Sequence, residues 1–224
     1  MADEARSGSR ATIWDLPTRL FHWSLVLLIA GAWWTQEQDD SELHARIGYA
    51  VLTLLLFRLA WGFLGSDTSR FASFIRGPRS AILYLRELFG SAPAAGHVGH
   101  NPIGGYSIAL MLLCLAVQTG TGLFLYDDEF FWGPLNDLVS EDMAEFLHEV
   151  HELNFNLLLA LIAVHIAAIL FYRFGKGQHL VWPMIGGKAR LPAGTARPRI
   201  ANPWLALVLL LISAGLVYAL LTFV

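Results

Sequence analysis

Five long apolar runs, separated by short stretches that hold most of the ionisable side chains, leave this chain few folds to choose from. They fall at about Phe21 to Thr35, His44 to Leu64, Gly104 to Tyr126, Phe146 to Tyr172 and Trp204 to Val224. A bilayer core about 30 Å thick is crossed by about 20 apolar residues in a helix, because only there can every backbone polar group be satisfied within the segment. The 224 residues are 55% hydrophobic and 15% charged, whereas a water-soluble domain keeps about a quarter of its residues charged. The sequence therefore predicts an all-α, polytopic membrane protein and excludes a soluble globular domain. The first run is short enough to suggest a signal peptide. It ends in the bulky pair Trp33-Trp34, where a cleavage site needs small residues, so a retained helix is expected.

Orientation follows from the basic residues. Arg6, Arg10 and Arg19 precede run one; Arg70, Arg76, Arg79 and Arg86 lie between runs two and three; Lys176, Lys188, Arg190, Arg197 and Arg199 precede run five. These segments are expected on the cytoplasmic side. The alternate connections are acidic, with Glu37, Asp39, Asp40 and Glu42 in one and Asp127, Asp128, Glu129, Asp137, Glu141, Asp142 and Glu145 in the other; Arg46 is the exception. The N-terminus is thus expected inside and the C-terminus outside. Around residues 78–89 apolar and arginine residues alternate behind Pro78, which predicts a short helix lying on the inner surface. The outer segment from Tyr126 to Phe146 mixes aromatics with acids and predicts an interfacial turn.

Ionisable groups within spans are rare and usually functional. His22, His44, His151 and His165 lie in or at the edges of the runs. A lone membrane histidine can simply hydrogen-bond across helices; four on three helices ask for a joint account. From His151 to His165 is fourteen residues, within about 40° of four helical turns, so both imidazoles share one stripe, about 21 Å apart. One then lies near each membrane boundary, His151 outside and His165 inside. By depth, His22 matches His165 and His44 matches His151. His148 competes for the outer site but points about 100° away from the His165 stripe. Of the remaining histidines, His97, His100 and His179 read as surface residues, although His100, just before run three, is placed to meet a cofactor carboxylate or a quinone.

Two opposed imidazoles suit haem iron better than zinc, since zinc takes three or four protein ligands and a porphyrin already supplies four nitrogens. The single cysteine, Cys114, excludes covalent haem attachment, a four-thiolate iron–sulfur site, a zinc ribbon and an internal disulfide. Gly48, one turn beyond His44, together with Gly31, Gly120 and Gly122, leaves room for a flat ring, although small residues also let bare helices pack closely. Arg19, Arg58 and Arg173 at the inner face and Arg46 at the outer are the expected partners of haem carboxylates. Snorkelling at the boundary accounts for the same arginines.

The chain resembles the bacterial cytochrome b561 and nickel-hydrogenase cytochrome b family, integral-membrane proteins with two b-type haems in a four-helix core. The resemblance rests on RLFHW around His22, LHARIG around His44, GHNPIGG opening run three, TGTGLF near its end, and HELNFNLLLALIAVHIAAIL with His151 and His165. It covers most of residues 12 to 175 and implies His22, His44, His151 and His165 as the ligands. On that reading residues 1–175 form the dihaem domain, 176–203 a cytoplasmic linker, and 204–224 an added membrane helix without ionisable residues.

Bis-histidine iron has no open position, which favours electron carriage over oxygen chemistry. The resemblance implies electron transfer between the quinone pool and a periplasmic partner, a cytochrome c or a hydrogenase-type enzyme. It leaves open whether the chain is itself a quinone oxidoreductase or a membrane anchor subunit, and whether it forms a homo-oligomer. The competing class is a haem-free transporter using its histidines as a proton relay. Nothing points to nucleic acid.

Overall fold

The computed structural model describes residues 9–75, 77–89, 99–127, 131–191 and 194–223. Arg6, Arg76, His97, Asp128 and Glu129 lie outside them. A short strand β1 (Arg10–Thr12) leads into helices α1 (Leu16–Gln36), α2 (Ser41–Leu64), α3 (Phe71–Phe74), α4 (Pro78–Phe89), α5 (Pro102–Gly122), α6 (Glu141–Gly175) and α7 (Val181–Gly186). Strand β2 (Lys188–Arg190) and helix α8 (Pro203–Phe223) complete the chain.

Each long helix of the bundle begins at a side-chain cap that meets otherwise orphaned N–H groups. Asp15 accepts from the Thr18 N–H at 2.7 Å, Asp40 from Leu43 at 3.0 Å, Asn101 from Gly104 at 2.7 Å and Ser140 from Met143 at 3.4 Å. Proline in the first turn of α1 and of α5 fixes the backbone at those starts. The helices α2, α5, α6 and α8 are long and apolar enough to cross a membrane. At 21 residues, about 31 Å, α1 has the length, but Thr18, Arg19, His22, Thr35 and Gln36 dilute its apolar character.

Three boundaries differ most from the sequence reading, the first being the start of α1 at Leu16 rather than Phe21. The helix expected from Phe146 to Tyr172 runs for 35 residues from Glu141, about 52 Å, because Ser140 caps an acidic first turn that favours a helix start. The helix expected to reach Tyr126 stops at Gly122. There the chain turns back, Tyr126 bridging to Trp132 with the two rings stacked 5.2 Å apart.

In the bundle α1 packs on α2, α2 on α5, and α5 on α6, with α8 against the outside of α2. The shared core holds Phe21, Val51, Leu55, Trp61, Leu115 and Leu158. Among the described residues, α6 packs far less closely on α1 and α2 than on α5, so a seam remains on that side. One end of the bundle is covered by a second, small core of Ala11, Ile13, Trp14 and Leu191, where β1 pairs antiparallel with β2. Gly187 makes this cover possible. It closes α7 with a left-handed φ of 78° and its carbonyl accepts from Ile13 at 2.8 Å and Trp14 at 3.1 Å, where a Cβ would lie 2.9 Å from the Trp14 oxygen.

Candidate functional site

The sequence places His44 in the first turn of α2 and His151 in the third turn of α6, and the structure brings the two rings together across the open seam. Their centroids are 6.3 Å apart and their planes inclined at 65°. Each uses Nδ1 locally: that of His44 meets the Ala32 carbonyl at 2.9 Å, and that of His151 meets Thr121 Oγ1 at 3.0 Å. Nε2 is therefore the nitrogen left for a ligand on both rings. A hydrogen bond at the other ring nitrogen fixes the tautomer of metal-binding histidines. A metal about 2 Å from each of two opposed imidazole nitrogens separates their ring centres by about 6 Å, which is the separation present here. Space is available as well, for a Cβ added at Gly48 or Gly120 would meet nothing within 4 Å. Gly122 sits against the His151 ring, its absent Cβ 3.3 Å from Cε1. His148 is turned aside, 56% exposed and 3.5 Å from Glu152.

At the other end His22 on α1 and His165 on α6 are close enough to interact electrostatically, and His100 joins them together with Arg58. The polar atoms here lack protein partners to an unusual degree: His22 Nδ1, His100 Nδ1, Arg58 Nη1 and Arg19 Nε are all buried without a hydrogen bond. Buried donors left in this state are costly unless a ligand or water meets them. Arg58 is only 3% exposed and lies over the Phe71 ring at 5.0 Å. Arg19 donates its Nη1 to the Ile185 carbonyl. A carboxylate-bearing ligand between these helices would satisfy the orphaned guanidinium atoms.

The other two arginines sit apart. Arg46 is 68% exposed and paired with Glu42 one turn away. Arg173 lies over the Phe174 ring at 5.7 Å and, with His179, lines a separate cavity of about 190 Å³.

Two residues of this region are not singled out by the sequence, and a third lies deeper than expected. Thr121 orients His151. Asp15, 2% exposed, caps α1 and also accepts from Trp61 Nε1 and Ser69 Oγ, both at 3.2 Å, tying α1 to α2 at this end of the bundle. His100, read chiefly as a surface residue, is wedged between Trp14 and Phe74 at 4.5 and 4.8 Å. Its place just before the Asn101 cap of a membrane helix was the available clue.

A family model described as prokaryotic cytochrome b561 matches residues 13–187. The chain belongs to that family. Neither curated proteins nor solved structures offered a match. As a prokaryotic cytochrome b561 family member it is a multi-pass membrane protein that carries electrons across the bilayer by means of haem b. The matched region spans α1 to α7 and contains all the paired histidines, whereas α8 lies beyond it.

Proposed function

We propose that the chain holds two b haems, one near each membrane surface, and links a periplasmic redox partner to the quinone pool. The observation that carries this is the His44–His151 pair, with rings 6.3 Å apart and both Nδ1 atoms engaged elsewhere. His44 and His151 would hold the haem near the outer surface, and His22 and His165 the one near the inner surface. When bound, haem b supplies a reversible one-electron iron couple.

The protein's part is to orient and insulate. Thr121 and the Ala32 carbonyl hold the outer imidazoles with Nε2 presented, and two histidines at a site would suit the iron to electron carriage rather than oxygen chemistry. Arg58 and Arg19 hold carboxylate tails at the inner site through their orphaned nitrogens. Arg46 and Arg173 reach such a tail only by leaving Glu42 and Phe174. The apolar neighbours Leu55, Leu115 and Leu158 exclude water between the sites. In this reading α1 also spans the membrane, since His22 lies on it. With α2, α5, α6 and α8 this gives five spans, the N-terminus in the cytoplasm and the C-terminus in the periplasm.

The test is haem content per chain in His22→Ala, His44→Ala, His148→Ala, His151→Ala and His165→Ala. The first, second, fourth and fifth are each expected to lose about one haem, and His148→Ala none. A full complement in His151→Ala overturns the outer assignment.

A further inference from the structure

We infer that the open cavity bordered by β1, β2 and the chain leading into α8 holds the phosphate of an anionic phospholipid headgroup. The cavity has a volume of about 390 Å³ and is lined by Arg10, Thr12, Lys188, Arg197, Pro198 and Ile200, among others. That is within the ~300–1,000 Å³ usual for small-ligand sites.

Three cations therefore converge on one space with a hydroxyl beside them. Strand pairing makes the concentration worse, for Arg10 stands directly opposite Arg190, and Thr12 opposite Lys188. Like charges at directly opposed positions of a sheet repel. Among the described residues, the ion pairs are Arg46–Glu42, Arg70–Asp67, His148–Glu152 and Arg199–Asp67. None involves Arg10, Lys188, Arg190 or Arg197. Asp67, which meets the chain leading into α8, is taken by Arg70 and Arg199 and by the Arg199 backbone N–H at 2.8 Å. The fold thus assembles a positive pocket and leaves its charge without a counter-ion from those residues.

Depth identifies the source of the anion. Ile200 is 42% exposed, and three residues later α8 begins at Pro203. Trp204, in the first turn of α8, and Trp182 on α7 are 71% and 67% exposed, and exposed tryptophan beside the start of a membrane helix is characteristic of the headgroup layer. A phosphate at that level is a lipid's, with its acyl chains continuing along α8 beside Ile200 and Trp204. Basic pockets at this depth select anionic headgroups. Which leaflet supplies the lipid rests on the topology proposed above; the site itself does not depend on the haems.

The haem-loaded protein in nanodiscs of phosphatidylcholine with phosphatidylglycerol, released into native mass spectrometry, is expected to retain one phosphatidylglycerol that survives tens of millimolar inorganic phosphate. Arg10→Gln/Lys188→Gln/Arg197→Gln is expected to lower that retention about tenfold or more with the haem spectrum unchanged. Arg79→Gln/Arg86→Gln, equally basic but outside the cavity, is expected to retain it. If the triple variant does not fold, single Arg197→Gln, which lies outside both strands, is expected to show a partial loss. Equal retention in the cavity variants, equal loss in the Arg79/Arg86 variant, or displacement by inorganic phosphate each overturns the inference. Absence of haem absorbance with lipid retained counts against the electron-transfer reading alone.

Discussion

A histidine that binds metal through Nε2 must give Nδ1 another partner, and at His151 that partner is Thr121. Thr121→Val keeps the volume and removes the hydroxyl, so outer haem is expected to bind about 10- to 100-fold more weakly, measured as the rate of haem transfer to an apo-globin. Unchanged transfer means Thr121 does not set the tautomer. His100 offers a different readout. Burial first, then the nearby Arg58 charge, His165 and His22, push its imidazole from 6.5 down to about 3. Between those values the unfolded chain binds a proton that the folded chain refuses, so this residue's contribution to stability falls as pH drops through the window and is fully present above it. The thermal midpoint of His100→Gln is accordingly expected to fall less than the native one between pH 7 and pH 5, and parallel profiles contradict the assignment. At this scale the sequence revealed the four paired histidines, because spacing on a helix fixes direction. It hid Thr121 and Asp15, because a hydroxyl or a cap acquires its second partner only when another helix arrives.

Helix α6 carries a buried or half-buried residue every seventh position, Ala144, His151, Leu158, His165 and Tyr172, and so keeps one edge toward the bundle along its length. Leu153, Val164 and Phe174, each more than 60% exposed, face the other way. Beside this edge Asn154 donates to the Cys114 carbonyl at 2.9 Å and to Gln118 Oε1 at 2.6 Å, holding α6 to α5. Asn154→Leu leaves the Gln118 amide without that donor and is expected to lower stability by about 1–3 kcal/mol, read as thermal loss of helical circular dichroism. The α5 start is closer still to its neighbour: a Cβ at Gly105 would lie 2.5 Å from the Phe74 carbonyl oxygen. Gly105→Ala forces that end of α5 away from α3 and is expected to cost about 1–3 kcal/mol, with loss of inner haem ahead of outer. The apolar runs located the membrane helices, yet hydropathy marks what lipid will accept and says little about where a helix starts. That is why the six residues from Ser140 to Glu145, polar and well capped, were read as connection.

For the whole molecule, the proposed topology predicts that a reporter active only in the cytoplasm works when fused at the N-terminus and fails at the C-terminus; the reverse pattern refutes it. The connection between α5 and α6 presents Asp127 and Asp137 ahead of Glu141 and Asp142 at the α6 start. If these acids steer a basic donor, the rate at which that donor reduces the protein falls steeply as salt rises from about 10 mM, where screening reaches about 30 Å, to about 150 mM, where it reaches about 8 Å. A flat salt response removes the steering role. The bundle was legible in outline from charge and hydropathy, whereas the cover built on β1 and β2 was not, since strands of three residues are too short to show a period. The family match stops at residue 187, but the chain beyond it returns to the bundle. Asp67 donates its N–H to the Arg199 carbonyl at 3.0 Å, Ser66 Oγ accepts from Ala201 at 2.9 Å, and α8 then lies along α2. A version trimmed to the conserved length would therefore strip one flank of the helix that carries His44 and deprive a fully enclosed serine of its donor, so the minimal unit defined by kinship is smaller than the unit defined by packing.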